Sequence, residues 1–160
     1  MQKENNNSNS SSRVCIIGAG PSGLAAIKNA QEQGLKHIVA FEKNDQLGGN
    51  WVYDEHNSHS SVYETTHIIS SKKWSEFEGF PMPADYPDYP SHKQILDYFK
   101  TYALHFNLHQ YVKFNTSVLK VVQNEAKSWL VTFQNEVGVQ QQCFDYVLVA
   151  NGHHWDPYIP

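Results

Sequence analysis

The sequence has few cysteines, little net charge and no long apolar run. Its two cysteines, Cys15 and Cys143, form no C-x-x-C pair, so we expect small buried apolar residues of a reducing compartment, not a disulfide framework. A net charge of −4 provides no basic surface for nucleic acid. No run of about 18 apolar residues occurs and no apolar segment follows Lys3, so neither a membrane segment nor a signal peptide is predicted. We therefore expect a cytoplasmic protein.

The composition suits one domain of ordinary size. The chain has 160 residues, of which 40% are hydrophobic, enough to bury a core. Residues 1–12 are almost wholly polar and are predicted to be a disordered tail, which leaves 13–160 for the folded domain. The nine histidines are scattered, and the adjacent His153 and His154 have no ligand partner at a recognisable spacing. No metal site is predicted.

A glycine-rich stretch follows the first apolar run of the chain. Residues 14–17, V-C-I-I, predict a parallel strand that is buried on both faces. In the following G-A-G-P-S-G, Gly18 permits a tight turn, Gly20 lets backbone N–H groups approach a pyrophosphate, and Gly23 lets the next helix pack closely. Because residues 24–30 continue as a helix, the positive end of its dipole points at the phosphates.

An acidic residue ends the second predicted strand, residues 37–41. Glu42 falls about 20 residues past the glycines, where a carboxylate accepts hydrogen bonds from a ribose. A second glycine pair, Gly48 and Gly49, begins six residues after Glu42. This spacing is typical of FAD proteins, in which the extended cofactor needs further close approach of the backbone. The pattern therefore predicts a dinucleotide site and favours FAD.

An irregular stretch, residues 54–88, separates the glycine motifs from a predicted helix. It is polar, rich in proline and aromatic, and its aromatic content argues for an ordered loop that covers something. The helix begins at Ser91, which forms an S-x-x-Q capping box with Gln94, and its apolar stripe is expected to be core. His92, in the first turn, is the member of this helix that we place near the cofactor.

The last third of the chain changes to a period of two. A short parallel strand is predicted at 111–114, followed by three antiparallel strands at 118–122, 129–133 and 139–144. A continuous apolar strand at 146–150 then ends at Asn151-Gly152, where the backbone is expected to lie close to the phosphates. The predicted fold class is α/β: a Rossmann-like parallel sheet with a three-stranded antiparallel meander as crossover, as in FAD/NAD(P)-binding domains.

Seven short motifs occur in order along the chain. They are G-A-G-P-S-G, F-E-K, L-G-G-N-W, S-S-K, F-P-M-P-A-D-Y-P, L-D-Y-F-K-T-Y-A and the terminal A-N-G-H-H-W-D-P-Y-I-P. Together, across residues 14–160, they resemble the FAD-binding half of flavin-containing monooxygenases. The resemblance implies bound FAD, NADPH as the reductant of the flavin, oxygen as co-substrate, and a small-molecule substrate oxygenated at a nitrogen, sulfur or carbonyl group.

The residues expected to hold the cofactor follow from the motifs and from this resemblance. Trp51 is expected to lie flat beside the isoalloxazine ring, and the irregular loop to cover it. No catalytic residue is assigned, because the chemistry belongs to the flavin. The predicted binding residues are Gly18, Ala19, Gly20, Pro21, Ser22, Gly23, Glu42, Lys43, Gly49, Asn50, Trp51, Ser70, Ser71, His92, Val118, Ala150 and Gly152.

The chain departs from the family pattern at one position. Many members carry an Asn just before the S/T-S/T-K run, where its side chain points at the flavin and helps to stabilise the oxygenated cofactor. This chain has Ile69, which cannot donate a hydrogen bond. The side-chain amide that the family usually places beside the flavin is therefore absent at this position.

Two motifs of a complete family member are absent from the sequence. It contains no second G-x-G-x-x-G and no F-x-G-x-x-x-H fingerprint, so we expect an N-terminal piece of a larger enzyme, inactive alone, with NADPH bound mainly elsewhere. One alternative is a non-catalytic FAD-binding fragment. Another is a different two-dinucleotide flavoprotein such as a disulfide reductase, which needs a cysteine pair soon after the second glycines, whereas residues 50–61 contain none.

Overall fold

The structure, a computed structural model, describes residues 11–54 and 62–152. Most of the predicted polar tail and the His153-His154 pair lie outside the described residues. Short 3-10 turns occur at Gly49–Trp51 and Leu108–Tyr111. The helices and strands are β1 (Arg13–Ile17), α1 (Pro21–Glu32), β2 (His37–Phe41), α2 (Lys72–Ser75), α3 (His92–His105), β3 (Val112–Lys113), β4 (Ser117–Gln123), β5 (Trp129–Asn135), β6 (Gly138–Phe144) and β7 (Tyr146–Val149).

A four-stranded parallel sheet forms the centre of the fold, in the order β3-β2-β1-β7. β1 pairs with β2 from Arg13↔His37 onward, and with β7 from Val14↔Tyr146 onward. Because β1 has a neighbour on each side and α1 packs near it, Val14, Cys15 and Ile16 are buried, as their continuous apolar run predicts. The α/β fold class is confirmed.

The three-stranded meander β4-β5-β6 forms a separate antiparallel sheet, as predicted. Its inner face packs against the parallel sheet through aromatic rings: Phe133 stacks on Phe41 with ring centroids 4.4 Å apart, and Phe144 meets Phe41 edge-on at 6.1 Å. Phe41 is the last residue of β2, directly before Glu42. The contact therefore joins the meander to the strand end that carries the predicted ribose acid.

Helix α3 supplies much of the core on the other side. Its capping box is complete, since Ser91 Oγ accepts from the Gln94 backbone N–H and the Gln94 side chain accepts from the Ser91 backbone N–H. The apolar stripe is buried as predicted. Within it, the Tyr98 hydroxyl accepts from Phe77 N at 2.7 Å and donates to Phe80 O at 2.5 Å, which attaches the irregular loop to the helix.

β7 forms within the predicted range 146–150, but it is an edge strand in the described part of the chain, and Leu148 and Val149 are 39% and 69% exposed. The expectation that Cys143 is buried is wrong. Cys143 is half-buried, because it alternates with the fully buried Phe144 and lies on the opposite face of β6. Cys15 is buried as expected, and burial raises the pKa of its thiol to about 12.

Within residues 11–54 and 62–152, no helix is both long and apolar enough to cross a membrane. The longest of these helices is α3, with 14 residues.

Candidate cofactor site

A cavity of about 820 Å³ lies where β1, β2 and β7 end. The carboxyl ends of parallel strands meet at one edge of the sheet, and open α/β sheets bind ligands there. The cavity is bordered by the turn from β1 into α1, the residues after β2 and β7, the second glycine pair, and β4 of the meander. Both sheets thus contribute to it.

The turn from β1 into α1 is packed too tightly for side chains at two positions. A Cβ on Gly18, whose φ is 102°, would lie 2.5 Å from the Ala150 carbonyl oxygen. A Cβ on Gly23 would lie 2.0 Å from the Gly18 carbonyl oxygen. Gly18 therefore allows β7 to end beside the turn, and Gly23 allows α1 to start against it, as the sequence predicts.

The N-terminus of α1 faces this turn without a side-chain cap. Gly20 is the N-cap, Pro21 follows it, and the first turn contains no acidic residue. The first backbone bond of the helix runs from Leu24 N to Gly20 O at 2.9 Å, so the preceding N–H groups have no partner within the helix. Such a helix end attracts an anion through its free N–H groups and its dipole.

Glu42 connects three parts of the site although it is only 6% exposed. Its carboxylate accepts hydrogen bonds from Ala19 N at 2.7 Å and from Asn44 N at 2.9 Å. Its backbone carbonyl accepts from Thr116 N at 2.8 Å, just before β4. The carboxylate is thus held by two backbone donors at the cavity wall, with further lone pairs available to hydroxyl donors.

The second glycine pair lies directly against the first glycine turn. Gly48 N donates to Ala19 O at 3.0 Å, and a Cβ on Gly49 would lie 3.1 Å from Gly20 Cα. Gly48 and Gly49 have φ of 124° and 55°, a backbone conformation that residues with a side chain rarely adopt. The two loops consequently approach each other with backbone only, and both line the large cavity.

A smaller cavity of about 400 Å³ adjoins the large one, since Pro21 and Trp51 line both. Trp51 is half-buried and contacts Phe99 edge-on, with ring centroids 6.5 Å apart. The other lining residues are His67, Ile68, Ile69, Ser70, Ser75, Met82, Ile95 and Phe99, and most of their side chains are apolar.

The S-S-K run is held close to this smaller cavity by its lysine. Lys72 Nζ donates to the carbonyl oxygens of Pro83 at 3.4 Å, Ala84 at 3.0 Å and Tyr86 at 2.6 Å. Lys72 N also donates to Asp88 O at 2.7 Å. The lysine therefore links two parts of the irregular loop through hydrogen bonds. Ile69, three residues earlier, is 99% exposed at the cavity.

The structure brings most of the predicted binding residues together. Ala19 and Gly23 are buried in the glycine turn, Ser70 lines the smaller cavity, and Ser71 is the N-cap of α2. His92 lies outside both linings, buried, with Nε2 3.1 Å from Glu64 O and its ring against Tyr53. The large cavity is lined by Gly18, Gly20, Pro21, Ser22, Glu42, Lys43, Gly49, Asn50, Trp51, Val118, Ala150 and Gly152.

Several lining residues were not predicted. Thr116 and Ser117 follow β3, a parallel strand, so the rule that ligands lie at carboxyl strand ends could have found them. Lys120 and Gln134 come from the meander, and only the packing of the two sheets brings them to the cavity. His67 belongs to a segment without a periodic pattern, and no feature of the sequence marked it.

Comparison with known proteins agrees with this geometry. The model of the flavin-binding monooxygenase-like family matches residues 11–160. The chain belongs to this family. Flavin-containing monooxygenase 1 of Homo sapiens is 40% identical over 154 residues, covering 92% of this chain. The chain spans 29% of the length of that relative.

Solved structures of monooxygenases share the fold. S-allyl-L-cysteine S-oxygenase from Allium sativum superimposes with a TM-score of 0.84 at 26% identity, covering 93% of this chain and 38% of that one. Cyclohexanone monooxygenase from Rhodococcus sp. Phi1, bound to NADP+, superimposes with a TM-score of 0.76 at 25% identity. The match covers 93% of this chain and 27% of the cyclohexanone monooxygenase chain. The family resemblance and the predicted flavin and NADP cofactors are thereby confirmed at the level of the family.

Proposed function

We propose that residues 13–160 form the FAD-binding domain of an NADPH-dependent flavin monooxygenase that oxygenates a nitrogen, sulfur or carbonyl group of a small molecule. The observation that supports this most is a pair of adjoining cavities, the larger of which lies at the carboxyl edge of the parallel sheet. The larger cavity is lined by the glycine turn and Glu42, as a dinucleotide site would be. The smaller cavity lies on the other side of Trp51 and has mostly apolar walls that suit a flat ring.

The residues present fit the adenosine diphosphate part of FAD. The uncapped start of α1 and the glycine turn offer N–H groups to the pyrophosphate, and no acidic residue of the first turn opposes its charge. The Glu42 carboxylate has lone pairs for the ribose hydroxyls. Val118 and Gln134 lie on the meander side of the same cavity, where the rest of the nucleoside would contact them.

The smaller cavity fits the flavin ring. When bound, the flavin supplies hydride acceptance and reaction with oxygen. The protein contributes orientation and exclusion of water: Trp51 and Phe99 form a fixed aromatic corner, and Met82 and Ile95 are buried at the wall. Lys72 holds the loop that carries Met82, since its ammonium group binds three carbonyl oxygens just after that residue.

A second function, FAD binding without substrate oxygenation, is favoured by Ile69. Its fully exposed aliphatic side chain stands at the smaller cavity without any hydrogen-bonding group. In a protein of this kind, oxygen would be reduced to hydrogen peroxide at the expense of NADPH, and no oxygen atom would enter a product. Comparing peroxide release with product formation, in an enzyme that contains this domain together with an NADPH site, separates the two functions.

The first test is whether the purified 160-residue chain retains FAD. We expect a visible flavin spectrum after reconstitution with FAD, and released FAD identified by mass spectrometry. FMN lacks the adenosine and second phosphate that the larger cavity accommodates, so FMN should be washed out. A protein that holds FMN as well as FAD would show that the larger cavity is not the nucleotide site.

A further inference from the structure

The segment that carries His67 is fixed beside the smaller cavity. His67 forms an antiparallel bridge with Ser91, the N-cap of α3. The neighbouring backbone bonds run from Ile68 N to Pro90 O at 3.1 Å and from His92 N to Thr66 O at 2.9 Å. The His67 side chain lines the cavity and remains exposed. An isolated β-bridge with its two backbone hydrogen bonds thus holds an imidazole at the wall of the proposed ring site.

The hydrogen bond of the His67 ring fixes its tautomer. Nδ1 lies 2.8 Å from the Tyr89 carbonyl oxygen, which can only accept, so Nδ1 carries a proton. In the neutral ring, Nε2 then has a lone pair, and in the protonated ring it has an N–H and shares a positive charge. One side chain can therefore present either an acceptor or a charged donor at this wall.

The other polar side chains of the smaller cavity cannot change between an acceptor and a charged donor. Ser75 Oγ donates to Ser71 O at 3.1 Å, so Ser70 Oγ, 2.7 Å away, donates to Ser75 Oγ, and both hydroxyl protons are used. Trp51 offers only a neutral indole N–H. Among the described residues that line this cavity, His67 is the one titratable side chain.

We propose that His67 is a positioning residue for the flavin ring, which it contacts through Nε2, as an acceptor when neutral and as a positively charged donor when protonated. This rests on the proposed function, in which the ring of FAD occupies the smaller cavity. The histidine then makes FAD binding depend on pH, because only its protonated form is a charged donor. A hydrogen bond from the charged imidazole to the flavin ring is stronger than one between neutral groups, so acidification strengthens binding.

Other ionisable groups lie on the elements packed around His67, but none of them lines the smaller cavity. They contribute to any overall pH effect, and the difference between wild type and a His67 variant removes that contribution. On its own segment and on the segments paired with it, these groups are Glu64, Lys72, Asp88, Tyr89, His92 and Lys93.

The test measures FAD affinity at about pH 5.5 and about pH 8 by quenching of FAD fluorescence. The wild-type chain should bind FAD about three- to fivefold more tightly at the lower pH, the size of a partly exposed charge interaction. His67→Asn keeps an N–H that can reach Tyr89 O but has no group at the Nε2 position, so this gain should disappear. His67→Gln places an uncharged amide near the Nε2 position and should also remove the gain, with tighter binding than His67→Asn at about pH 8.

Two controls locate the effect. His37→Gln alters an exposed histidine at the start of β2, the opposite end of the strand from the cavity, and should retain the wild-type pH dependence. ADP, which lacks a flavin ring, should bind wild type and His67→Asn with the same pH dependence.

In imidazole nitrogen NMR spectra, the resonance that His67→Asn removes should titrate at a higher pH when FAD is bound.

The outcomes separate this inference from the proposed function. If FAD binds but His67→Asn keeps the wild-type gain, or if the NMR titration is the same with and without FAD, the role of His67 is refuted while the cofactor site remains. If ADP shows the same loss in His67→Asn as FAD does, the histidine acts on the diphosphate and not on the ring. If neither FAD nor ADP binds the folded chain, both proposals fail.

Discussion

Ala19 and Glu42, 23 positions apart, are joined by a hydrogen bond of 2.7 Å from the backbone N–H of Ala19 to Oε2 of Glu42. The bond ties the glycine turn to the end of β2. Glu42 therefore does more than the sequence pattern implies, because it holds the turn in place and also lines the cavity that we assign to the ribose.

Glu42→Ala should weaken FAD binding by about 1–3 kcal/mol, the scale of a lost hydrogen bond to a charged group. It should also lower the free energy of unfolding of the apo chain, because Ala19 N loses its buried acceptor. Calorimetric FAD titration and urea unfolding measure the two effects. Glu32→Gln, which alters an exposed residue at the end of α1, is the matched control. Unchanged FAD affinity in Glu42→Ala would mean that the ribose binds elsewhere.

Gly20 and Gly23 should respond differently to alanine. Gly20 has a φ of −74°, and its added Cβ would lie 3.5 Å from Gly49 Cα, an ordinary contact, so Gly20→Ala should fold. The methyl group would nevertheless occupy space beside the proposed pyrophosphate, and FAD affinity should fall at least about tenfold. Gly23→Ala should destabilise the chain by the order of 3–5 kcal/mol, because its Cβ would meet backbone at 2.0 Å. Equal thermal stability of the two variants would contradict this distinction.

The sequence predicted the parts of the fold that local patterns control. β1 and α1 follow from an apolar run and a glycine motif, and Ser91 with Gln94 marks the start of α3 through a local capping box. The exposure of Val149 depends instead on which strand stands next to β7, and no local pattern contains that information. Strand alternation could have shown that Cys143 faces away from the core once Phe144 was assigned to it.

The site was predictable where residue type and spacing carry the chemistry. Dinucleotide sites in general require glycines that allow close backbone approach and an acid after the second strand, so the spacing of such residues in the chain predicts that they lie together in space. Lys120 and His67 reach the cavities through contacts between segments distant in sequence. For the same reason, His92 could be assigned to the start of α3 but not placed relative to the cavities.

Tyr98 should make the stability of the chain sensitive to alkaline pH. Burial raises the pKa of its hydroxyl to about 12, above the ordinary value of 10 that the unfolded chain has. Between about pH 10 and 12 the unfolded state loses this proton and the folded state keeps it, so stability is fully present below pH 10 and falls as pH rises.

Urea unfolding at increasing pH tests this sensitivity. In Tyr98→Phe the slope of stability against pH above 10 should be smaller than in wild type. The variant should also be less stable at neutral pH by about 1–3 kcal/mol, because Phe77 N loses its acceptor and Phe80 O its donor. Tyr63→Phe, at a position 67% exposed, is the control and should match wild type in both respects. An unaltered alkaline slope in Tyr98→Phe would assign the sensitivity to another group.

A polypeptide of these 160 residues, loaded with FAD, should oxidise NADPH no faster than free FAD does. Its sequence contains one G-x-G-x-x-G motif, which the structure places at the cavity proposed for FAD, so the diphosphate of NADPH has no second glycine turn to bind. Without such binding, the nicotinamide is not held close to the flavin, and proximity supplies much of the rate of hydride transfer. Dithionite should still bleach the bound flavin, because chemical reduction needs no nicotinamide site. Stopped-flow absorbance at the flavin maximum with oxygen excluded measures both reactions, and rapid bleaching that saturates with NADPH would show that these residues bind NADPH productively.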